Sequence, residues 1–134
     1  MKPRFRAWDV LAEKMIDEIL MISFVRKEII GKFRNGSTSV PLKFEDERNG
    51  EDVILMQSTG LVDRDGKIIF EGDIVKMAKD VYSEPTYYKV VRHRGGAYRL
   101  ESNQHGCELW LRYADCEVVG NVYENQEYLK KRGN

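Results

Sequence analysis

A chain of 134 residues with 42% hydrophobic content has the size of one globular domain, long enough to bury a core without disulfide staples. Its 22 Lys and Arg offset 22 Asp and Glu, and a pI of about 6.7 excludes a general pull toward nucleic acid or an anionic membrane. The two cysteines form no framework, and the longest apolar run, Ile19 to Val25, falls far short of the ~20 residues of a membrane-spanning helix, so the expectation is a soluble cytoplasmic protein with reduced thiols.

Charge is nonetheless uneven along the chain. Eight basic residues face five acids from Met1 to Arg34, whereas nine acids face four basic residues from Pro41 to Asp73. Such blocks most simply make solvated faces.

The opening "RFRAWD" alternates with the period of a strand, Arg4, Arg6 and Trp8 on one side and Phe5 and Ala7 on the other. "VLAEKMIDEIL" has helical spacing but apolar residues on both faces, and the reading adopted is a short turn after Asp9 followed by a strand from about Met15. "MISFVRKEIIGKF" continues in β-branched and aromatic residues to Asn35-Gly36, a strong turn signal, and Pro41 resists a central strand. The acidic "EDERNGED" reads as an exposed connection. "DVILMQ" reads as a strand buried on both faces.

"LVDRDGKIIF" places Asp65-Gly66 between apolar runs as a two-residue hairpin turn, and Gly72-Asp73 bends the chain again before a strand from Ile74 to Met77. "YYKVVRHR" and "AYRLES" flank a further hairpin at Gly95-Gly96, "CELWLRY" alternates like a strand, and "CEVVGNVY" supplies a last strand with Gly120 as a bulge or close-approach point. Asn125 caps a short helix from Gln126 to about Lys131, with Gly133 as its stop. The expected fold is mainly β, a β-rich α+β chain with a small, closed barrel and a short C-terminal helix. Residues 1–57 form an N-terminal β-rich segment and 58–134 the barrel, within one compact domain.

No pattern assembles a catalytic or metal site. His93, His105, Cys107 and Cys116 lack the paired spacing of zinc ligands, and Cys116 reads as a small core residue. The carboxylates of Asp63, Asp65, Glu71 and Asp73 sit beside glycines or in bends, where turn formation outweighs cation binding. The basic hairpin from 87 to 100 is the candidate contact surface for nucleic acid or a partner, through Lys89, Arg92, Arg94, Tyr98 and Arg99. Alternation splits it, with Tyr88, Val90 and Arg92 on one face and Lys89, Val91 and His93 on the other. Gly60, Asp65, Gly66, Gly72, Asp73, Gly95, Gly96 and Gly120 are assigned to turns and bends, and no catalytic residue, cofactor or metal is expected.

The blocks "FRAWD", "VILMQSTGLVDRDGKIIFEGDIVK" and "CEVVGNVYEN" resemble, in order, three blocks of the YopX family of phage and prophage proteins. The central pattern is carried by Leu55, Met56, Gln57, Thr59, Gly60, Leu61, Asp63, Gly66, Lys67, Ile69 and the run Glu71 to Val75. Departures are small: Ser58 stands where members often have an aromatic residue, Asp65 where they have Asn, and Gln126 where they have Pro. The resemblance implies a mainly β fold with a small SH3-like barrel, a tendency to self-associate, residence in the host bacterial cytoplasm, and no activity or catalytic residue to carry over. Two functional expectations follow. The first is a non-enzymatic accessory protein working through contacts with itself and with a phage or host protein; the second is a small-barrel nucleic-acid binder using the basic hairpin.

Overall fold

A computed structural model of the chain describes residues 4–46, 51–78, 82–93 and 95–130, which cluster into two compact units, Met1–Ser58 and Thr59–Asn134. The architecture is mainly β, as the sequence implies, with antiparallel sheets and a short C-terminal helix.

In the first unit β1 (Phe5–Asp9) turns through residues 10–13 into β2 (Lys14–Ser23), so the ambiguous "VLAEKM" segment makes a turn and then a strand. Asp9 enforces the reversal: its Oδ1 accepts the Ala12 N–H at 2.9 Å and its carbonyl accepts the Glu13 N–H at 2.9 Å. β3 (Glu28–Phe33), β4 (Leu42–Lys43) and the start of β5 (Val53–Val62) complete an antiparallel ladder in the order β4-β3-β2-β1-β5. β4 follows Pro41 directly and lies at the edge of this ladder, where a missing N–H costs least. Ala7, Ile16, Ile29, Phe44 and Val53 form the core of the unit. Each fully buried Ile or Val there contributes about 1.5–3 kcal/mol.

"DVILMQ" is half right as a doubly buried strand: Val53 and Met56 are buried, but Ile54 and Leu55 are only partly so. Residues 47–50 of the acidic connection lie outside the described residues. Its two ends are tied together, the Asp52 N–H donating to the Lys43 carbonyl at 2.9 Å and the Lys43 N–H to Asp52 Oδ2 at 2.8 Å.

In the second unit the end of β5 lies beside β6 (Ile68–Phe70), and a five-stranded antiparallel sheet follows. It contains β7 (Asp73–Met77), β8 (Thr86–Arg92), β9 (Tyr98–Glu101), β10 (Gly106–Glu108) and β11 (Glu117–Asn121), in the order β10-β9-β8-β7-β11. Ile69, Val75, Met77, Val90, Leu100, Leu109 and Cys116 form its core.

Two expectations change here. The sheet does not close into a barrel: β10 and β11 are its edges, and the chain between them is α1 (Leu109–Arg112) followed by a 3-10 turn (Tyr113–Asp115). "CELWLRY" is therefore a strand end and a helical turn rather than one strand. Only Leu109 of the four helical residues is buried, an arrangement that a short alternating run fits as well as a strand does.

The three glycine dipeptides close loops of one design. In each, the first residue's N–H donates to the carbonyl four residues on (Phe33 to Ser37, Asp63 to Lys67, His93 to Ala97), and the glycine N–H donates back to the first residue's carbonyl. Only the second residue of each dipeptide has positive φ: 90° at Gly36, 85° at Gly66 and 86° at Gly96. These are three-residue loops ending in a left-handed glycine, not two-residue turns, so Asp65 and Gly95 carry no strained angle. Gly60 lies inside β5 at φ 80°, and Gly72, at φ 88°, donates its N–H to the Val90 carbonyl at 2.9 Å.

Gly120 sits at a register shift in β11 opposite β7, and a Cβ there would collide with the Asn125 side chain. Asn125 Oδ1 accepts the Asn121 N–H at 3.1 Å, so Asn125 braces the end of β11 rather than capping α2 (Glu127–Lys130) with its side chain. The expected end of that helix at Lys131, and the stop at Gly133, lie outside the described residues.

Asp63 joins its own loop to a distant strand. It is buried, with Oδ1 accepting the N–H groups of Asp65 at 2.9 Å and Lys67 at 2.8 Å, and Oδ2 accepting the Val118 N–H at 2.8 Å. Replacing it strands three donors, two of them inside a loop and one in β11. Asp63→Ala should lower unfolding free energy by about 3 kcal/mol in urea titrations, while Asp65→Ala, at an exposed position, should stay within about 0.5 kcal/mol.

Candidate functional site

The register of the β8–β9 hairpin decides what its basic residues can do together. Lys89 lies opposite Glu101, Val90 opposite Leu100, Val91 opposite Arg99 and Arg92 opposite Tyr98. Val90 and Leu100 are fully buried, so Arg92 and Tyr98 extend the core-facing side, whereas Lys89, Val91, Arg99 and Glu101 share the outward side. Arg99 Nη1 donates to Glu108 Oε1 at 2.9 Å, and His93 Nε2 lies 3.2 Å from Glu101 Oε2. Tyr98 packs against the core, and burial, followed by the nearby Glu71 charge, raises its phenol pKa; burial likewise raises that of Tyr88. Arg94 lies outside the described residues. Lys89, Arg92, Tyr98 and Arg99 are thus not gathered into one basic stripe.

Beside the hairpin, on its outward side, lies a cleft of about 510 Å³. β8 contributes Thr86, Tyr87 and Lys89, the β9–β10 loop contributes Ser102 to His105, and α2 contributes Tyr128 and Leu129. The Tyr87 and Tyr128 rings stack with centroids 4.9 Å apart at 25°, which fixes α2 over β8. Ser102 builds the opposite rim: its Oγ accepts the Gln104 N–H at 3.3 Å and the His105 N–H at 3.0 Å, and its own N–H donates to the His105 carbonyl at 2.8 Å. Of the lining residues, sequence reasoning named Lys89 as a contact residue and His105 only to set it aside as a zinc ligand; Tyr128 and the rest of the Ser102–His105 loop come from other parts of the chain and had no motif to announce them.

The acidic residues of the central stretch are occupied by the backbone. Asp63 accepts three N–H groups as described, and Asp73, only 1% exposed, accepts the Phe70 N–H through Oδ2 at 2.7 Å. Among the described residues no three His, Cys, Asp or Glu side chains are grouped to hold a metal ion. Cys116 is fully buried in the core, where desolvation, with a smaller contribution from Cys107, pushes its thiol up to about 12; Cys107 is half-buried against the same core.

The first unit offers a surface of a different kind. β2 carries a register shift between Ile19 and Met21, which turns both Leu20 and Met21 outward, and the turn after β2 exposes Phe24 and Val25. Val25 is 95%, Met21 65% and Phe24 58% exposed. Phe24 is not loose: its ring meets those of Phe5 and Phe44 edge-on, each at 6.1 Å.

The class that the fold defines is a mainly β chain of two units, with a polar cleft in the second and exposed apolar residues around one turn of the first. Residues 4–130 match the family model described as YopX protein, and the chain belongs to the YopX family. It is similar to two solved structures. The protein EF1440 from Enterococcus faecalis is 28% identical, with 96% of this chain and 99% of that one covered and a TM-score of 0.62. The protein yopX from Bacillus subtilis is 26% identical, with the same coverages and a TM-score of 0.63. No curated protein matches significantly. Among the described residues no helix is long and apolar enough to cross a membrane.

The contrast between the cysteines is measurable. In the native protein at pH 8 an aromatic disulfide reagent should titrate Cys107 and leave Cys116 unmodified, and both should react after unfolding in urea. Because the Cys116 thiol is raised from an ordinary value near 9.0 to about 12 in the fold, its contribution to stability is complete below pH 9. It is lost as pH rises through the interval up to about 12. Cys116→Ser should flatten that part of the stability profile.

Proposed function

We propose that this is a non-enzymatic accessory protein of a phage or prophage that acts through protein–protein contacts, with a second copy of itself as the first partner. The observation that carries this reading is the exposure of four large apolar residues within one short stretch of the first unit, Leu20, Met21, Phe24 and Val25, in β2 and the turn that follows it. Large apolar side chains left in water at this density are more typical of a contact surface than of a solvated turn. Burying Val25, Met21 and Phe24 against a copy contributes about 1.5–3 kcal/mol for each side chain fully removed from water. The non-enzymatic part is supported by Asp63, Asp73 and Cys116, which are committed to backbone hydrogen bonds or core packing.

The alternative of a nucleic-acid binder built on the basic hairpin has weaker support. Arg99 is engaged by Glu108, and Arg92 lies on the opposite side from Lys89.

Light scattering on the eluting protein should give the mass of two or more 15.6 kDa chains at micromolar concentration. The double variant Met21→Glu, Val25→Asp should elute at the monomer mass with an unchanged circular dichroism spectrum. A wild-type chain that stays monomeric across the concentration range contradicts the proposal.

A further inference from the structure

The cleft between β8, the β9–β10 loop and α2 has a chemistry that the self-association proposal does not use. At about 510 Å³ it lies within the range of small-ligand sites, and its lining is polar apart from Leu129 and the tyrosine rings, which argues against an apolar occupant. Its one acid, Glu101, faces His93 at 3.2 Å, which argues against a cation site. Lys89, exposed in the same cleft, forms no ion pair with a described residue. Asn103, Gln104 and His105 are exposed at the rim, the two amides each offering a donor and an acceptor side by side.

Tyr87 and Lys89 stand two residues apart on one side of β8, a separation of ~7 Å along the strand. That is the order of distance between the base and the 5′-phosphate of a single nucleotide. An aromatic wall beside a cation is also how sheet surfaces hold single strands, by stacking a base and neutralising its phosphate, and paired amides read the edge of a base.

We propose that this cleft binds a nucleoside monophosphate unit, free or as one residue of a single strand, with the Tyr87–Tyr128 stack against the base, Lys89 on the phosphate and the Asn103–Gln104 amides on the base edge. The assignment is independent of the basic stripe imagined along the whole hairpin, because it needs neither Arg92 nor Arg99.

Amide chemical shifts of the ¹⁵N-labelled protein, followed during titration with adenosine 5′-monophosphate, ribose 5-phosphate, adenosine and an eight-residue single-stranded DNA, test it. Adenosine 5′-monophosphate should move the amides of Tyr87, Lys89, residues 103–105 and Tyr128. The two fragments should bind at least about tenfold more weakly, and Lys89→Gln should cost about tenfold in affinity for the nucleotide while leaving the remaining spectrum in place. Tighter, strongly salt-dependent binding of the DNA identifies a single strand as the source, and binding no tighter than the mononucleotide identifies the free compound. Absence of shifts at these amides with both nucleotide probes at millimolar concentration overturns the proposal. So does equal binding of ribose 5-phosphate, or a Lys89→Gln variant that binds as well as the parent.

Discussion

The second unit hangs on one carboxylate. Asp63 follows β5, and its two oxygens take the N–H groups of Asp65 and Lys67 in the β5–β6 loop and of Val118 in β11, more than fifty positions away in the chain. The Arg64 N–H donates to the Cys116 carbonyl at 2.9 Å beside it, so the loop and the start of β11 are joined at two neighbouring points. A buried carboxylate with three N–H donors is well satisfied, and removing it would leave all three donors to find other partners. β11 in turn pairs only with β7 and is an edge of its sheet, which makes this tether the main polar restraint on its outer side.

That arrangement explains why a stretch dense in acids and glycines has the look of a reactive site and is instead a corner of the fold. Asp73 does the same work on a smaller scale, holding the Phe70 N–H while Gly72 takes a conformation that few other residues adopt without strain. The exposed apolar residues of the first unit and the polar cleft of the second, on which the two proposals rest, lie elsewhere.

The sequence was most readable where a local rule acts alone. Asn35-Gly36, Asp65-Gly66 and Gly95-Gly96 mark their reversals because glycine tolerates positive φ, although the loops are one residue longer than the dipeptides alone imply. The turn between β1 and β2 was legible because apolar residues on both faces rule against an amphipathic helix. "LWLR" was not, since four residues with one buried side chain fit a strand or a helical turn equally well. Barrel closure failed for a related reason: the segment that would have paired the two edge strands is spent on that helical turn. The cleft could not be read at all, because Tyr128 meets Tyr87 across forty residues and nothing in either local sequence announces the stack.

Amide hydrogen exchange at Val118 tests the tether most directly, since an N–H bonded to a buried side chain exchanges only when that contact opens. The account predicts that Val118, Lys67 and Asp65 exchange slowly and that all three accelerate together when Asp63 is replaced by Ala. Val118 exchanging at the rate of an exposed edge amide in the unaltered protein, or staying protected in Asp63→Ala, would contradict it.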